Sequence, residues 1–274
     1  MKNKYCVTSI IVLALFGTIL TASAQTKELP KESELKAISA RGRVLAEYDR
    51  AAWHSADAVQ AMPPEAGSIS RYVAKKTSNR WTVGYGRFDD SREKFLVVYE
   101  AVQGATPEEF KVTKYESPKE DRGFYFLGAL ALETAIADFK GERRPYNAAV
   151  IPAPNDQMWV YIVPAPTVSG VWPLGGDVRY LISKDGKKIV EKRQLHKTII
   201  EYRTKGPNNE SIEMGFHTAI LDDMPEDTDV FFVLTRKPPV PEWVISENFA
   251  YHIKVDGTIF VMRKEAFLKI EKDK

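Results

Sequence analysis

The sequence of 274 residues has almost no cysteine. Its single cysteine, Cys6, lies inside an apolar run near the start of the chain. A chain without further cysteines forms no disulfide from the rest of its length, offers no thiol nucleophile there and provides no thiolate ligand for zinc. We therefore expect stability to come from a hydrophobic core, and any metal ligands to be histidine or carboxylate side chains.

An excess of charge of one sign is also lacking. The sequence has 39 basic and 37 acidic residues, and its first 24 residues contain two lysines, Lys2 and Lys4, and no acid. The remaining chain is formally neutral. A nucleic-acid-binding protein needs a basic surplus to displace the counterions of phosphates, so we expect no nucleic-acid partner.

The N-terminal residues 1–24 have the pattern of a secretory signal peptide. Two lysines precede an apolar run over residues 7–20, and Ala22-Ser23-Ala24 forms a small-residue cleavage site before Gln25. The apolar run is too short for a membrane-spanning helix. We predict cleavage after Ala24, export to the periplasm or the medium, and no membrane span afterwards.

Several catalytic and nucleotide-binding motifs are missing. The sequence contains no H-E-x-x-H zinc motif, no G-x-S-x-G elbow, no S-x-x-K pair and no Walker lysine loop. Gly84-Tyr85-Gly86 falls inside a predicted strand, so it is not a dinucleotide-binding turn. No family is recognised from the sequence, and no catalytic residue is assigned.

Two stretches have helical patterns. Apolar residues recur at three- and four-residue steps over residues 31–60, before the stop signal Met62-Pro63-Pro64, and Gly42 would divide this stretch if it broke the helix. Residues 123–139 form a more apolar helix, which we expect to be the buried core helix.

The first half of the sequence also contains strand signals. Residues 69–76, 81–88 and 94–102 predict a three-stranded meander, and residues 111–122 predict a loop.

The second half of the sequence is rich in strand signals. Asp185-Gly186 and Asp256-Gly257 each predict a tight hairpin turn, because both turn residues must tolerate positive φ. The predicted strands are residues 147–152, 158–164, 176–183, 188–202, 211–221 and 229–236, and the hairpin 249–263. The fold class expected is α+β: mostly antiparallel sheet, with a long N-terminal helix and one buried core helix. After the signal peptide, the predicted regions of the chain are residues 25–142 and residues 143–274. These either form two separate regions or belong to one continuous domain.

The strongest candidate for a functional site is the stretch of residues 215–229. One histidine and several acids would supply imidazole and oxygen ligands for a divalent metal ion. A calcium loop is not expected, because the spacing of the acids does not match one. The alternative to a metal site is an ordinary acidic turn between two strands. The candidate ligands are His217, Asp222, Asp223, Asp227 and Asp229.

Two further features bear on function. His196 and His252 fall in predicted strands, and a metal or acid–base site would follow if both approached His217. Five aromatic residues would line a carbohydrate or peptide groove, although aromatic residues at alternating strand positions favour a core. These five are Trp159, Tyr161, Trp172, Tyr180 and Tyr202.

These observations favour an exported protein of the cell envelope or extracellular space that binds a protein or polymer partner without catalysis. The alternative is a metal-dependent hydrolase that uses the stretch from His217 to Asp229. A divalent metal ion is the one cofactor considered. The sequence does not indicate an oligomeric state.

Overall fold

The structure is a computed structural model that describes residues 27–206, 208 and 210–272. The predicted signal peptide, residues 1–24, lies outside the described residues. In the described part of the chain, no helix combines the length and the apolar character that crossing a bilayer requires.

The described residues form four helices and fourteen strands, which confirms the α+β class. The helices are α1 Glu32–Gln60, α2 Phe124–Asp138, α3 Asp227–Thr235 and α4 Lys264–Lys272. The strands of the first half are β1 Arg71–Thr77, β2 Arg80–Phe88, β3 Phe95–Gln103, β4 Phe110–Asp121, β5 Tyr146–Pro152 and β6 Met158–Pro164. Those of the second half are β7 Val171–Gly175, β8 Val178–Ile182, β9 Ile189–Gln194, β10 Ile199–Arg203, β11 Gly215–Thr218, β12 Glu242–Ile245, β13 Phe249–Ile253 and β14 Ile259–Arg263.

The strands make four sheets, in which all pairs but one are antiparallel. The first sheet has the order β1-β2-β3-β4 and the second β5-β6-β8-β9. Strands β7 and β10 pair with each other, and the third four-stranded sheet has the order β11-β12-β13-β14, with β11 parallel to β12. The two predicted Asp-Gly turns connect β8 to β9 and β13 to β14, with Gly186 and Gly257 at positive φ.

Helices α1 and α2 cover opposite faces of the first two sheets. Successive strand residues point to opposite faces, so neighbours such as Val73 and Ala74 enter different cores. Val73 packs with the α2 residue Tyr125, whereas Ala74 packs with the α1 residue Tyr48. Both cores join residues from the two sides of the boundary predicted at residue 142.

A third core lies between α1, α3 and the third sheet. Gly42 is buried within the unbroken helix α1, at the place where α3 passes closest. A Cβ at Gly42 would lie 2.5 Å from the Val230 Cβ, so this glycine permits a close helix–helix contact and does not divide α1.

Three sequence-based predictions are wrong in detail. Residues 229–236, predicted as a strand, belong mostly to helix α3, because a short apolar run does not distinguish a buried helix from a buried strand. Residues 111–122, predicted as a loop, lie largely in β4, an edge strand whose residues are mostly exposed and polar. Residues 188–202 form two strands, β9 and β10, which belong to different sheets.

Candidate metal centre

The break between β9 and β10 places His196 in the interior. The Leu195 amide donates a hydrogen bond to the carbonyl oxygen of Asp177, at 3.1 Å, which holds the chain beside the start of β8. The chain then leaves the second sheet to pair with β7. The His196 side chain is only 10% exposed as a result.

The second imidazole comes from the third sheet. His217 is the third residue of β11, where buried and exposed residues alternate, and its side chain is 1% exposed. Its ring centroid lies 5.6 Å from that of His196. The two rings thus meet where the second and third sheets approach each other.

Asp229 lies in the first turn of α3 and faces both rings. Its Oδ2 accepts a hydrogen bond of 2.7 Å from the Glu226 amide, a helix-capping contact that fixes the carboxylate. Its Oδ1 lies 3.0 Å from His196 Nε2 and 3.1 Å from His217 Nε2. One carboxylate oxygen therefore meets the Nε2 atoms of both histidines.

The two distances to Asp229 Oδ1 fit the coordination of a small divalent metal ion. Two ligands that each lie 2.0–2.1 Å from a tetrahedral zinc ion are about 3.3 Å apart. The ligand atoms of His196, His217 and Asp229 all lie within 4.8 Å of one another. His217 Nε2 is buried and makes no hydrogen bond of good geometry with any residue that the structure describes. A metal ion would supply that missing partner.

A second carboxylate also contacts each histidine, at the Nδ1 atom of its ring. His196 Nδ1 lies 2.8 Å from Asp177 Oδ1, and His217 Nδ1 lies 3.2 Å from Glu242 Oε1. A carboxylate at Nδ1 fixes the tautomer that leaves Nε2 free for a metal ion, and such pairs are usual around zinc. Glu242 is held in turn by the Tyr202 hydroxyl, at 2.8 Å, and by the Arg236 guanidinium, at 3.1 Å.

Without a metal ion, the neighbouring carboxylates favour the protonated form of both imidazoles. Burial alone would lower the pKa of His196, but Asp177 and Asp229 outweigh it and raise this pKa well above its usual value. Burial also opposes the charge on His217, yet Asp229 and Glu242 raise the pKa of His217 to about 9. The same two imidazolium groups overcome the effect of burial on Asp229 and lower its pKa.

The charges of this cluster balance in the protonated state. The cations are His196, His217 and Arg236, and the carboxylates in contact with them are Asp177, Asp229 and Glu242. Replacing two imidazole protons by one divalent ion leaves the total charge unchanged. The buried carboxylates, which would be costly without compensation, thus remain compensated in both states.

A cavity of about 40 Å³ adjoins the two histidines. This volume exceeds the roughly 10–15 Å³ that one water molecule needs when volume is measured in this way. Glu226 lines the cavity with His196 and His217, and burial, opposed by Arg193, raises the pKa of Glu226 to about 8. The centre therefore combines three candidate ligands with space for a water molecule and with Glu226, whose carboxylate pairs with Arg193.

The structure brings together two of the five predicted ligands, His217 and Asp229. Asp222 instead accepts a hydrogen bond from Arg193, and Asp223 accepts hydrogen bonds from Lys27 and Asn248. Asp227 is buried, but its carboxylate pairs with Arg41 and Arg179 and accepts a hydrogen bond from the Tyr161 hydroxyl.

Sequence reasoning named His196 as a histidine that would approach His217, and the structure brings these two together. The third histidine, His252, stacks on Trp243 at 4.7 Å, outside this group of ligands. Asp177 and Glu242 were missed, because each comes from a different element and neither lies near a histidine in the sequence. The one available signal was that Asp177 lies at the start of a predicted strand, residues 176–183, whose hairpin partner, residues 188–202, contains His196.

Comparison of the chain with models of protein families, with curated proteins and with solved structures gives no match.

Proposed function

We propose that this protein binds one divalent metal ion through His196, His217 and Asp229, and that it is a metal-dependent hydrolase. The observation that carries the proposal is the convergence of two Nε2 atoms on one carboxylate oxygen, together with a further carboxylate at the Nδ1 atom of each ring. Structural zinc sites have four protein ligands, whereas catalytic sites have three and an open position. Three ligands beside a water-sized cavity support the catalytic type.

A bound divalent ion of the zinc class would lower the pKa of a water that it coordinates and so supply a nucleophile at neutral pH. The chain's own residues have defined roles in this proposal. Asp177 and Glu242 hold the imidazoles in the metal-binding tautomer. Glu226 lines the cavity and is placed to exchange a proton with a molecule there.

Metal binding is tested on the chain from Gln25 onward, after treatment with EDTA. We expect calorimetry to show one zinc ion per chain, and cobalt to give the visible spectrum of a tetrahedral site with nitrogen and oxygen ligands. His196→Ala and His217→Ala should abolish both signals. The remaining histidines offer matched controls: His54→Ala and His252→Ala should bind zinc like the original chain. If all four variants behaved alike, the proposed centre would be wrong.

Hydrolysis is tested separately, with p-nitrophenyl acetate and bis-p-nitrophenyl phosphate as probes and zinc or manganese as the metal. The proposal expects turnover that needs the metal ion and disappears in His217→Ala. Glu226→Gln should retain the metal and lose most of the rate. Stoichiometric metal binding without turnover of either probe would favour the second candidate.

The second candidate is a non-catalytic protein that binds a protein or polymer partner other than nucleic acid. It is favoured by the burial of the centre, because the ligand side chains are at most 10% exposed and the cavity is too small for a polymer. The metal ion would then join the β9–β10 connection, β11 and α3. Capture of a partner by the metal-loaded protein, without turnover, would support this function.

We also propose export to the periplasm or the medium. The support is the lysine-led apolar run and the Ala22-Ser23-Ala24 sequence alone. Cell fractionation with N-terminal sequencing should find a protein outside the cytoplasm that begins at Gln25. A cytoplasmic protein that retains Lys2 and Lys4 would contradict export.

A further inference from the structure

A second cavity, of about 450 Å³, lies beside the middle of α1 and does not include the metal centre. Its volume is within the range of small-molecule sites, about 300–1,000 Å³. We call it the Asp49 groove. Its principal side chains are Asp49, Trp53, Tyr72, Asn147, Trp172 and Lys237.

Several polar groups of the Asp49 groove lack partners. Asp49 and Tyr72, which are partly buried, and Asn147, which is exposed, make no side-chain hydrogen bond or ion pair with any residue that the structure describes. Trp172 Nε1 is buried and also has no hydrogen-bond partner there, although most buried polar groups in a folded protein are paired. Asp49 is only partly exposed, and burial raises its pKa. Burial, together with the charge of Asp49, raises the pKa of Tyr72 to about 12, and both side chains line the same cavity. A carboxylate, a hydroxyl and an amide thus remain available to a ligand.

Aromatic rings form the apolar part of the groove. Trp53 is 52% exposed, although it lies on a helix whose other face supplies much of the core. Tyr72 and Trp172 are partly buried and line the same cavity. Exposed apolar ring surface beside polar groups that have no partner is typical of a ligand site.

Two classes of ligand use aromatic rings together with a carboxylate: organic cations and saccharides. A cation is disfavoured because the ammonium group of Lys237 already lies 4.9 Å from the centre of the Trp53 ring. A second positive charge there would be repelled. A saccharide carries no charge, its hydroxyl groups both donate and accept hydrogen bonds, and its C–H faces pack on aromatic rings. Those properties match the carboxylate, the hydroxyl and the amide of the groove.

We propose that the Asp49 groove is a saccharide-binding site. Asp49 and Asn147 accept hydrogen bonds from sugar hydroxyl groups, and the Tyr72 hydroxyl donates or accepts one. The ring of Trp172 packs against the sugar, and Trp53, which is stacked on His54 and lies beside the Lys237 ammonium, contacts it with its remaining exposed surface. This site does not depend on the metal centre, because none of its residues is a proposed metal ligand.

The test uses three trisaccharides, chitotriose, cellotriose and maltotriose, each titrated into the full chain from Gln25 onward. Tryptophan fluorescence includes the groove in its signal, since two of the five tryptophans, Trp53 and Trp172, line it. We expect saturable quenching by at least one trisaccharide, with little dependence on salt. Asp49→Asn and Trp53→Ala should each weaken that binding by about ten-fold or more. Both variants should fold, because Asp49 makes no internal bond and Trp53 is half exposed.

The control is Phe216→Ala, which removes a ring that is 75% exposed on β11, outside the groove. This variant should bind the sugar like the original chain. Thermal unfolding of all three variants verifies that each is folded. The saccharide proposal is overturned if no trisaccharide changes the fluorescence, if binding survives both groove substitutions, or if tetramethylammonium binds the groove and the sugars do not.

Discussion

At the scale of single residues, Asp177 is the most informative position of the metal centre, because it contacts a ligand and not the proposed metal ion. An asparagine at this position still accepts a hydrogen bond from His196 Nδ1, but it no longer increases the basicity of the ring. We therefore expect Asp177→Asn to lower zinc affinity by about 10–100-fold while the protein stays folded. Calorimetric titration with zinc measures the change.

Asp222→Asn is the matched control, since Asp222 is a carboxylate of the predicted acidic stretch that pairs with Arg193 instead. Zinc affinity should change by less than about two-fold, as for a surface substitution. If Asp222→Asn or Asp223→Asn weakened binding as much as Asp229→Asn, the ligand set predicted from the sequence would be preferred over the one built on His196.

The sequence is most informative at this scale where ligands are neighbours in the chain, since His196 was named only as a histidine that could approach His217. His217 and Asp229 fall within one acidic stretch and were predicted together. The five acids of that stretch look equivalent in the sequence, but the fold gives each a different partner. Asp227 and Asp229 show why: they are two residues apart in the first turn of α3, so their side chains face different sides of the helix. Asp227 pairs with two arginines, whereas Asp229 lies beside two histidines.

At the scale of elements, the contact between α1 and α3 depends on Gly42. An alanine is ordinarily a better helix former than glycine by about 1 kcal/mol. Here the new methyl group would collide with Val230 and the Asp227 carbonyl oxygen. We expect Gly42→Ala to lower the free energy of unfolding by about 1–3 kcal/mol, as overpacking does, and urea denaturation measures it.

Arg50→Ala is the control for helix propensity, because Arg50 is exposed on the same helix. Its free energy of unfolding should stay within about 0.5 kcal/mol of the original value. A Gly42→Ala protein that is as stable as the original chain, or more stable, would show that α3 does not pack as closely on α1 as the structure has it.

Elements with strong local signals were predictable, and elements defined by their neighbours were not. The recurrence of apolar residues at helical spacing over residues 31–60 predicted α1, and the two Asp-Gly turns predicted two hairpins. The run Val230 to Leu234 is apolar on every side, so its helical form is decided by burial against α1 and the third sheet. The break at His196 has no glycine or proline of its own. Pairing of β10 with β7 decides it, which is a contact between distant residues.

At the scale of the whole molecule, the metal centre predicts how stability depends on pH. In the metal-free protein, His217 keeps its proton up to about pH 9, whereas the unfolded chain releases it near 6.5. The pKa of Glu226 is raised in the same direction, from 4.5 to about 8. The folded state thus binds more protons than the unfolded state in this range, so stability must fall as pH rises.

The expected loss between pH 6.5 and 9 is on the order of 3 kcal/mol for His217, with His196 acting in the same direction. Urea denaturation in EDTA at several pH values measures this loss. The stabilisation that zinc adds should instead grow over the same range, because the ion competes with the two imidazole protons. A metal-free protein whose stability is flat or rises from pH 6.5 to 9 would contradict the buried imidazolium pair. Zinc stabilisation that does not increase with pH would contradict its exchange for a metal ion.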